Sequence, residues 1–176
     1  MGRNNKVGEI LSILKDIKNI ENIGDLKTRQ KEGLKYLINL GCKKNFFSEE
    51  VFEIIYLCIN LYYTCDVIKE KYASTLKKFY LNLAEVFLNK YFNIKGDNCI
   101  FSNYEDVLML IELAACFSLE CMYGKSTELL IKIIENSYVD NNLKIRALDE
   151  LFFESEKFLP KNKINNYKQL YNNLKH

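Results

Sequence analysis

The sequence has 176 residues, of which 48% are hydrophobic and 27% charged, and its formal net charge at pH 7 is +2. This balance excludes an intrinsically disordered chain, which would carry far fewer apolar residues. A chain of this length buries about 70% of the surface that its unfolded form exposes, so it can fold without a disulfide or a metal.

The first half of the chain has the apolar spacing of helices. One proline and seven glycines leave long stretches without a helix breaker. Helices are predicted, in order, over residues 7–17, 26–40, 48–65 and 72–87, with a break near 64–66. Gly41 suits the end of the second helix, because glycine adopts the left-handed conformation that closes helices. Ser48 suits the start of the third, because Glu49 and Glu50 follow it and favour the positive end of the helix dipole.

The second half follows a polar segment, residues 93–101, which is predicted to be a loop because it contains Lys95-Gly96-Asp97-Asn98. Further helices are predicted over residues 104–123, 129–134, 143–158 and 164–174. Ser102 and Glu105 have the spacing of a capping box at the start of the first of these. Gly124 is predicted to end that helix, and Pro160 to end the third.

Two of these helices, Val51 to Cys65 and Val107 to Cys121, are apolar on nearly all sides, so other helices must surround them. Both are too short to cross a membrane. The predicted fold is all-α, with seven to eight antiparallel helices in one irregular helical bundle or a short α-solenoid. Residues 1–176 are predicted to form a single domain, with a possible division into two lobes at residues 93–102.

Two segments combine an arginine with leucines at helical spacing. They are Lys27-Thr28-Arg29 with Leu34, Leu37 and Leu40, and Lys144-Ile145-Arg146-Ala147-Leu148 with Leu151, which Asp140 precedes. Both resemble the inner helices of HEAT and armadillo repeats, whose period is roughly 40 residues. The resemblance implies an α-solenoid, a fold class whose members mostly bind proteins or peptides along a concave face.

Residues that carry catalytic or metal chemistry are scarce. The histidine His176 is the last residue, and six cysteines occur without a C-x-x-C pair. Phosphate-binding glycine motifs and the E-x-x-H motif of metal-binding bundles are absent. The carboxylates near Asp149 and Glu150 are interpreted as a solvated face. No catalytic, cofactor-binding or metal-binding residue is therefore predicted, and the chain is not expected to be an enzyme.

The cysteines are expected to be free thiols in a cytoplasmic protein, since the N-terminus lacks the apolar core of a signal peptide. Cys58, Cys65 and Cys121 are predicted to be buried. Cys116 falls within about 20° of Glu105 and Glu112 on a helical wheel, so it is expected to face solvent. Cys42 and Cys99, at a helix end and in the predicted loop, are expected to be the most accessible.

Charge is unevenly distributed. Residues 1–48 hold ten basic and five acidic groups, net +5, whereas residues 96–159 hold five basic and twelve acidic groups, net −7. Lys27, Lys31 and Lys35 follow one side of a predicted helix and form a candidate basic surface. The candidate acidic surface consists of Glu105, Glu112 and Glu120, which lie within roughly 80° of one another on the apolar helix. For each of the two surfaces, the alternative is that the charged side chains simply face water and bind no partner.

Fold class, charge distribution and the scarcity of catalytic groups favour a non-enzymatic protein-interaction module, such as an adaptor, inhibitor or immunity-type antagonist, with a protein or peptide partner. One alternative is a nucleic-acid-binding helical protein that uses the basic N-terminal region. The chain has only three arginines, the residue on which bidentate readout usually relies, which weakens this alternative. The other alternative is an uncharacterised enzyme that uses carboxylates, tyrosine or cysteine.

Overall fold

The structure is a computed structural model that describes residues 48–65 and 73–175. These residues form seven α-helices and no strand, which confirms the predicted all-α fold. The helices are α1 (Ser48–Thr64), α2 (Ala73–Lys95), α3 (Asp97–Phe101), α4 (Tyr104–Leu119), α5 (Tyr123–Glu135), α6 (Asn141–Glu150) and α7 (Lys161–Lys175). The predicted helices over 7–17 and 26–40 lie outside the described residues.

The chain divides into two compact units between Lys95 and Gly96. This boundary falls within residues 93–102, where the sequence suggested a possible division. In the first unit, α1 begins at Ser48 with Glu49 and Glu50 in its first turn, as predicted.

Helices α1 and α2 pack against each other in an antiparallel pair. At one end of the pair, Glu49 Oε1 lies 3.9 Å from Lys95 Nζ, and the Phe52 ring lies 6.2 Å from the Tyr91 ring. At the other end, Lys77 Nζ lies 5.0 Å from the centroid of the Tyr62 ring. The side chains buried within this unit include Ile54, Ile55, Cys58, Leu61, Leu81, Leu83 and Phe87. This apolar interior accounts for the nearly continuous hydrophobic sequence of α1.

The predicted loop over residues 93–101 is wrong, because Gly96 alone separates α2 from α3. Gly96 has φ 73°, a left-handed conformation that glycine adopts without a Cβ clash, so one residue suffices to break the helix. The polar residues on either side of it continue or begin a helix. Ile100 and Phe101 at the end of α3 are buried, and α3 packs on α4.

The start of α4 also differs from the prediction, because the N-cap is Asn103 and not Ser102. Asn103 Oδ1 accepts hydrogen bonds from the backbone N–H groups of Glu105 and Asp106, at 3.0 and 3.2 Å. Ser102 Oγ instead donates to the carbonyl of Cys99 in α3, at 2.9 Å. The capping box of Ser102 and Glu105 is therefore absent. Ser102 satisfies a backbone carbonyl near the end of α3, and Asn103 caps the start of α4.

The end of α4 lies five residues before Gly124, the residue that was predicted to stop it. Cys121 adopts a left-handed conformation with φ 60°. Its N–H donates to the Ser118 carbonyl at 2.9 Å, and the Met122 N–H donates to the Phe117 carbonyl at 2.8 Å. These two bonds form a Schellman motif in which a cysteine takes the position usually held by glycine. Gly124 lies instead in the first turn of α5.

The second unit is built around α4, which packs against both α5 and α6. The fully buried side chains of the second unit include Val107, Leu110, Leu113, Ala114, Leu130, Ile133, Ala147, Leu148 and Leu151. Asp140 caps α6 by accepting a hydrogen bond from the Asn142 N–H at 2.8 Å. Helix α7 packs on α6, and Tyr167 is its one buried residue. The Tyr167 hydroxyl donates to Glu135 Oε1 at 2.6 Å and so links α7 to α5.

The five described cysteines are free thiols. Cys58, Cys65 and Cys116 are buried, whereas Cys99 and Cys121 are exposed. The predictions for Cys116 and Cys121 are both wrong: the first placed Cys116 on the solvent side of α4 with Glu105 and Glu112, and the second assumed a helix continuing past residue 120. The chain turns at Cys121, which exposes that thiol, and neighbouring helices packed against α4 bury Cys116. Cys42 lies outside the described residues.

Candidate functional site

The chain leaves α6 through a π-helical turn, Leu151–Ser155, followed by a short 3-10 turn, Glu156–Phe158. A π-helical turn accommodates an extra residue and changes the direction of the side chains that follow; such turns are frequent at functional sites. Leu151 is fully buried and Phe152 half-buried, whereas Phe153 is 76% exposed. The Phe152 ring meets Tyr171 of α7 edge to face, with centroids 5.8 Å apart. Phe153 thus projects from a firmly packed segment.

An open groove of about 680 Å³ lies beside this turn, entirely within the second unit. We call it the aromatic groove, and its described lining residues are Tyr123, Phe152, Phe153, Lys157, Leu159, Lys161 and Ile164. The first turn of α5 contributes Tyr123, and the start of α7 contributes Lys161 and Ile164. Three separate segments of the chain therefore converge on one concave surface.

Tyr123 and Lys157, which line the aromatic groove, form a cluster with the neighbouring ring of Phe158. The rings of Tyr123 and Phe158 lie 4.3 Å apart at an interplanar angle of 19°. Lys157 Nζ lies 5.1 Å from the centroid of Tyr123 and 5.3 Å from that of Phe158. Cation–π attraction of about 0.5 to 1 kcal/mol at exposed sites favours this position of the ammonium. Phe158 nevertheless remains 51% exposed.

The charged residues in the described lining of the groove are basic. Its described lining residues include Lys157 and Lys161 and no carboxylate. Neither lysine forms an ion pair with another described residue. From residue 157 to the end, the sequence holds five lysines and no acidic residue. The groove thus lies where the acidic part of the chain gives way to a basic segment.

The chemistry that these side chains offer is apolar contact and charge pairing. Phe152, Phe153, Leu159 and Ile164 provide hydrophobic and aromatic surface, and the two lysines provide ammonium donors. Within the described lining, tyrosine and lysine are the groups that exchange protons. The arrangement suits a ligand that combines an apolar group with a negative charge.

The residues of the candidate acidic surface are only partly brought together. Glu105 and Glu112 are exposed on α4, whereas Glu120 is half-buried and follows the end of the helix as its C-cap. The three side chains therefore do not share one helix. A role for them in partner binding stays a prediction. Lys27, Lys31 and Lys35 lie outside the described residues.

Sequence reasoning missed the aromatic groove altogether. The available signal was the pair Phe152-Phe153 shortly before Pro160. Adjacent residues on a helix point about 100° apart, so two consecutive phenylalanines are difficult to bury in one core. In the structure Phe152 packs on α7, whereas Phe153 is exposed.

Across residues 48–65 and 73–175, no three His, Cys, Asp or Glu side chains lie close enough together to hold a metal ion. No helix in the same part of the chain combines the length and apolar character needed to cross a membrane. Comparison with models of protein families, with curated proteins and with solved structures gave no match.

Proposed function

We propose that this chain is a non-enzymatic protein-interaction module that binds a protein or peptide partner through the aromatic groove. The exposure of Phe153 is the observation that carries the proposal. Burying a phenylalanine side chain stabilises a protein by about 1.5 to 3 kcal/mol relative to leaving it in water. At Phe153 most of this stabilisation is forgone in the isolated chain, and a partner that covers the ring would gain it.

The surroundings of Phe153 have the composition of an interface. Aromatic residues are enriched at the centres of protein interfaces, and a few buried anchors supply most of the binding energy. Phe158 is a second exposed ring beside the groove, and Lys157 lies over it. The anchor also projects from packed structure, since Leu151 is buried and Phe152 contacts Tyr171. A preorganised anchor loses little conformational entropy on binding.

The proposal is tested by affinity capture from the native host with the wild-type chain and two variants, read by quantitative mass spectrometry. Phe153→Ser removes the anchor. Tyr138→Ser is the matched control, because Tyr138 is 58% exposed in the connection between α5 and α6 and does not line the groove. Far-UV circular dichroism melting first establishes that both variants fold.

A partner that uses the groove is retained by the wild type and by Tyr138→Ser, and lost by Phe153→Ser. With the purified partner, Phe153→Ser should weaken the affinity by at least 30-fold, which corresponds to the roughly 2 kcal/mol of an interface hot spot. Partners that bind equally to the wild type and to Phe153→Ser would contradict a role for the groove.

A further inference from the structure

We infer that the aromatic groove recognises an acidic segment of its partner that carries an aromatic or aliphatic anchor residue. This inference rests on the proposed function, and it adds the chemistry of the ligand. The apolar part of the argument comes from the wall of the groove. Phe153, Leu159 and Ile164 offer a surface against which one apolar side chain can pack.

The acidic part of the argument comes from the lysines. Lys157 Nζ lies within 5.3 Å of two ring centroids and pairs with no carboxylate among the described residues, so an incoming carboxylate need not displace any of those carboxylates. Lys161 is exposed at the start of α7. A basic segment would instead bring like charges together, which costs binding free energy.

The charge distribution around the groove points the same way. The segment that follows Glu156 contains Lys157, Lys161, Lys163, Lys168 and Lys175 and no acidic residue. The first two line the groove, and Lys163 and Lys168 are exposed on the helix that forms one of its walls. Lys157 and Lys161 therefore place positive charge at the groove, which favours association with a negatively charged segment.

The groove favours a peptide over a single-stranded nucleic acid. Nucleic-acid platforms of this kind stack successive bases on open ring faces and pair the backbone with basic residues. Here Phe158 stacks on one face of Tyr123, and Lys157 lies over the rings of both residues. No arginine occurs among the described lining residues. Phe153 is the most exposed of these rings, and with the two ammonium groups it suits an anchor residue with neighbouring carboxylates.

The test is selection of a displayed library of random 15-residue peptides on the full chain, followed by fluorescence polarisation with the enriched peptides. We expect enriched peptides with net negative charge and at least one aromatic or aliphatic residue. Their affinity should fall at least tenfold with Phe153→Ser and remain within threefold with Phe153→Leu, which keeps an apolar side chain.

The charge requirement is tested with the double variant Lys157→Glu with Lys161→Glu, which should weaken binding at least tenfold. Its matched control is Lys78→Glu with Lys132→Glu, which changes the net charge equally at two exposed lysines that do not line the groove. The control should change the affinity less than threefold. Circular dichroism establishes that both double variants retain their helices.

The outcomes separate this inference from the proposed function. Enriched peptides that are neutral or basic but require Phe153 would overturn the acidic specificity and leave the proposed function standing. No enrichment, or enrichment indifferent to Phe153→Ser, would contradict both. Binding of a 12-nucleotide oligothymidylate that Lys157→Glu with Lys161→Glu abolishes would assign the groove to nucleic acid and overturn the inference.

Discussion

The substitution Cys121→Gly should stabilise the protein, because Cys121 occupies the left-handed position of the Schellman motif that ends α4. Its φ of 60° brings the Cβ close to the following carbonyl oxygen, a contact that costs an L residue about 1 to 2 kcal/mol. Glycine removes this contact and retains both backbone hydrogen bonds of the motif, from Cys121 to Ser118 and from Met122 to Phe117.

Two effects offset part of the gain. Glycine is more flexible in the unfolded chain, which costs about 0.4 to 1 kcal/mol. The substitution also removes the sulfur that accepts a hydrogen bond from the Tyr123 hydroxyl at 3.6 Å, an exposed and weak contact. The net increase in the free energy of unfolding should be about 0.5 to 1 kcal/mol, or about 1 to 4 °C in Tm for a chain of this size.

The assay is thermal and urea unfolding followed by far-UV circular dichroism at 222 nm. Cys121→Ala is the direct comparison, because alanine keeps the Cβ and hence the strain, and it should unfold at a lower temperature than Cys121→Gly. Cys99→Gly is the positional control: Cys99 is exposed within α3, where glycine should cost about 1 kcal/mol relative to alanine. A Cys121→Gly protein no more stable than Cys121→Ala would refute the reasoning.

Three further expectations follow from burial and hydrogen bonding. Leu113→Asp should abolish cooperative thermal unfolding, since truncating a buried leucine alone costs about 2 to 5 kcal/mol and a buried carboxylate adds to that cost. The control is Leu119→Asp, at a position on the same helix that is 56% exposed. It should change the free energy of unfolding by less than about 1 kcal/mol. In maleimide labelling of the native protein, the exposed thiols of Cys99 and Cys121 should react well before the buried thiols of Cys58, Cys65 and Cys116. Burial also raises the pKa of Cys58, which lowers its thiolate fraction. Equal labelling rates would contradict the burial pattern. For Tyr167, burial and the hydrogen bond to Glu135 raise the pKa above the ordinary value of about 10. The stabilisation from this hydrogen bond is therefore fully present below the ordinary tyrosine pKa of about 10 and is lost as the pH rises through the raised pKa. Tyr167→Phe should accordingly be less stable than wild type at pH 7. In urea unfolding at pH 11 the difference in stability should be smaller.

The all-α fold was predictable because helical periodicity extends over long apolar stretches. Helix α7 is an example: Ile164, Tyr167, Leu170 and Leu174 repeat at three- and four-residue intervals and predict a helix over 164–174, where the structure has Lys161–Lys175. Such a pattern identifies an element even where its packing partner is unknown. It says much less about the residues that join one element to the next.

The helix ends were harder to predict because several residues compete for the same role. Ser102 and Asn103 are both good N-caps, and Glu105 completed a capping box only with the former. At the other end of α4, Gly124 was the one glycine nearby, and a left-handed cysteine three residues earlier is a rare choice. The error at this end of α4 also led to wrong predictions for Glu120 and Cys121, which were placed on the continuing helix, whereas Cys116 is buried because its side of α4 is covered.

The aromatic groove was not predictable from periodicity because it depends on a departure from the α-helix. The sequence from Leu143 to Phe158 predicts one continuous helix, whereas the structure passes from α6 into a π-helical turn and a 3-10 turn. That change sets the direction of Phe153 and Lys157. Tyr123, which completes the stack, comes from the start of α5, more than 25 residues earlier in the chain. Only tertiary packing brings these residues together.

The position of Phe153 makes stability and binding separable in this protein. A side chain that is 76% exposed contributes little packing, so replacing it with serine removes few contacts from the folded state. The backbone around it is held independently, because Leu151 is buried and Phe152 contacts Tyr171. Helix α7, which supplies Lys161 and Ile164 to the groove, is likewise held from outside it by the hydrogen bond of Tyr167 to Glu135. A loss of partner binding in Phe153→Ser therefore reports on the groove itself, whereas a loss in Tyr167→Phe reports on the docking of the helix that forms its wall.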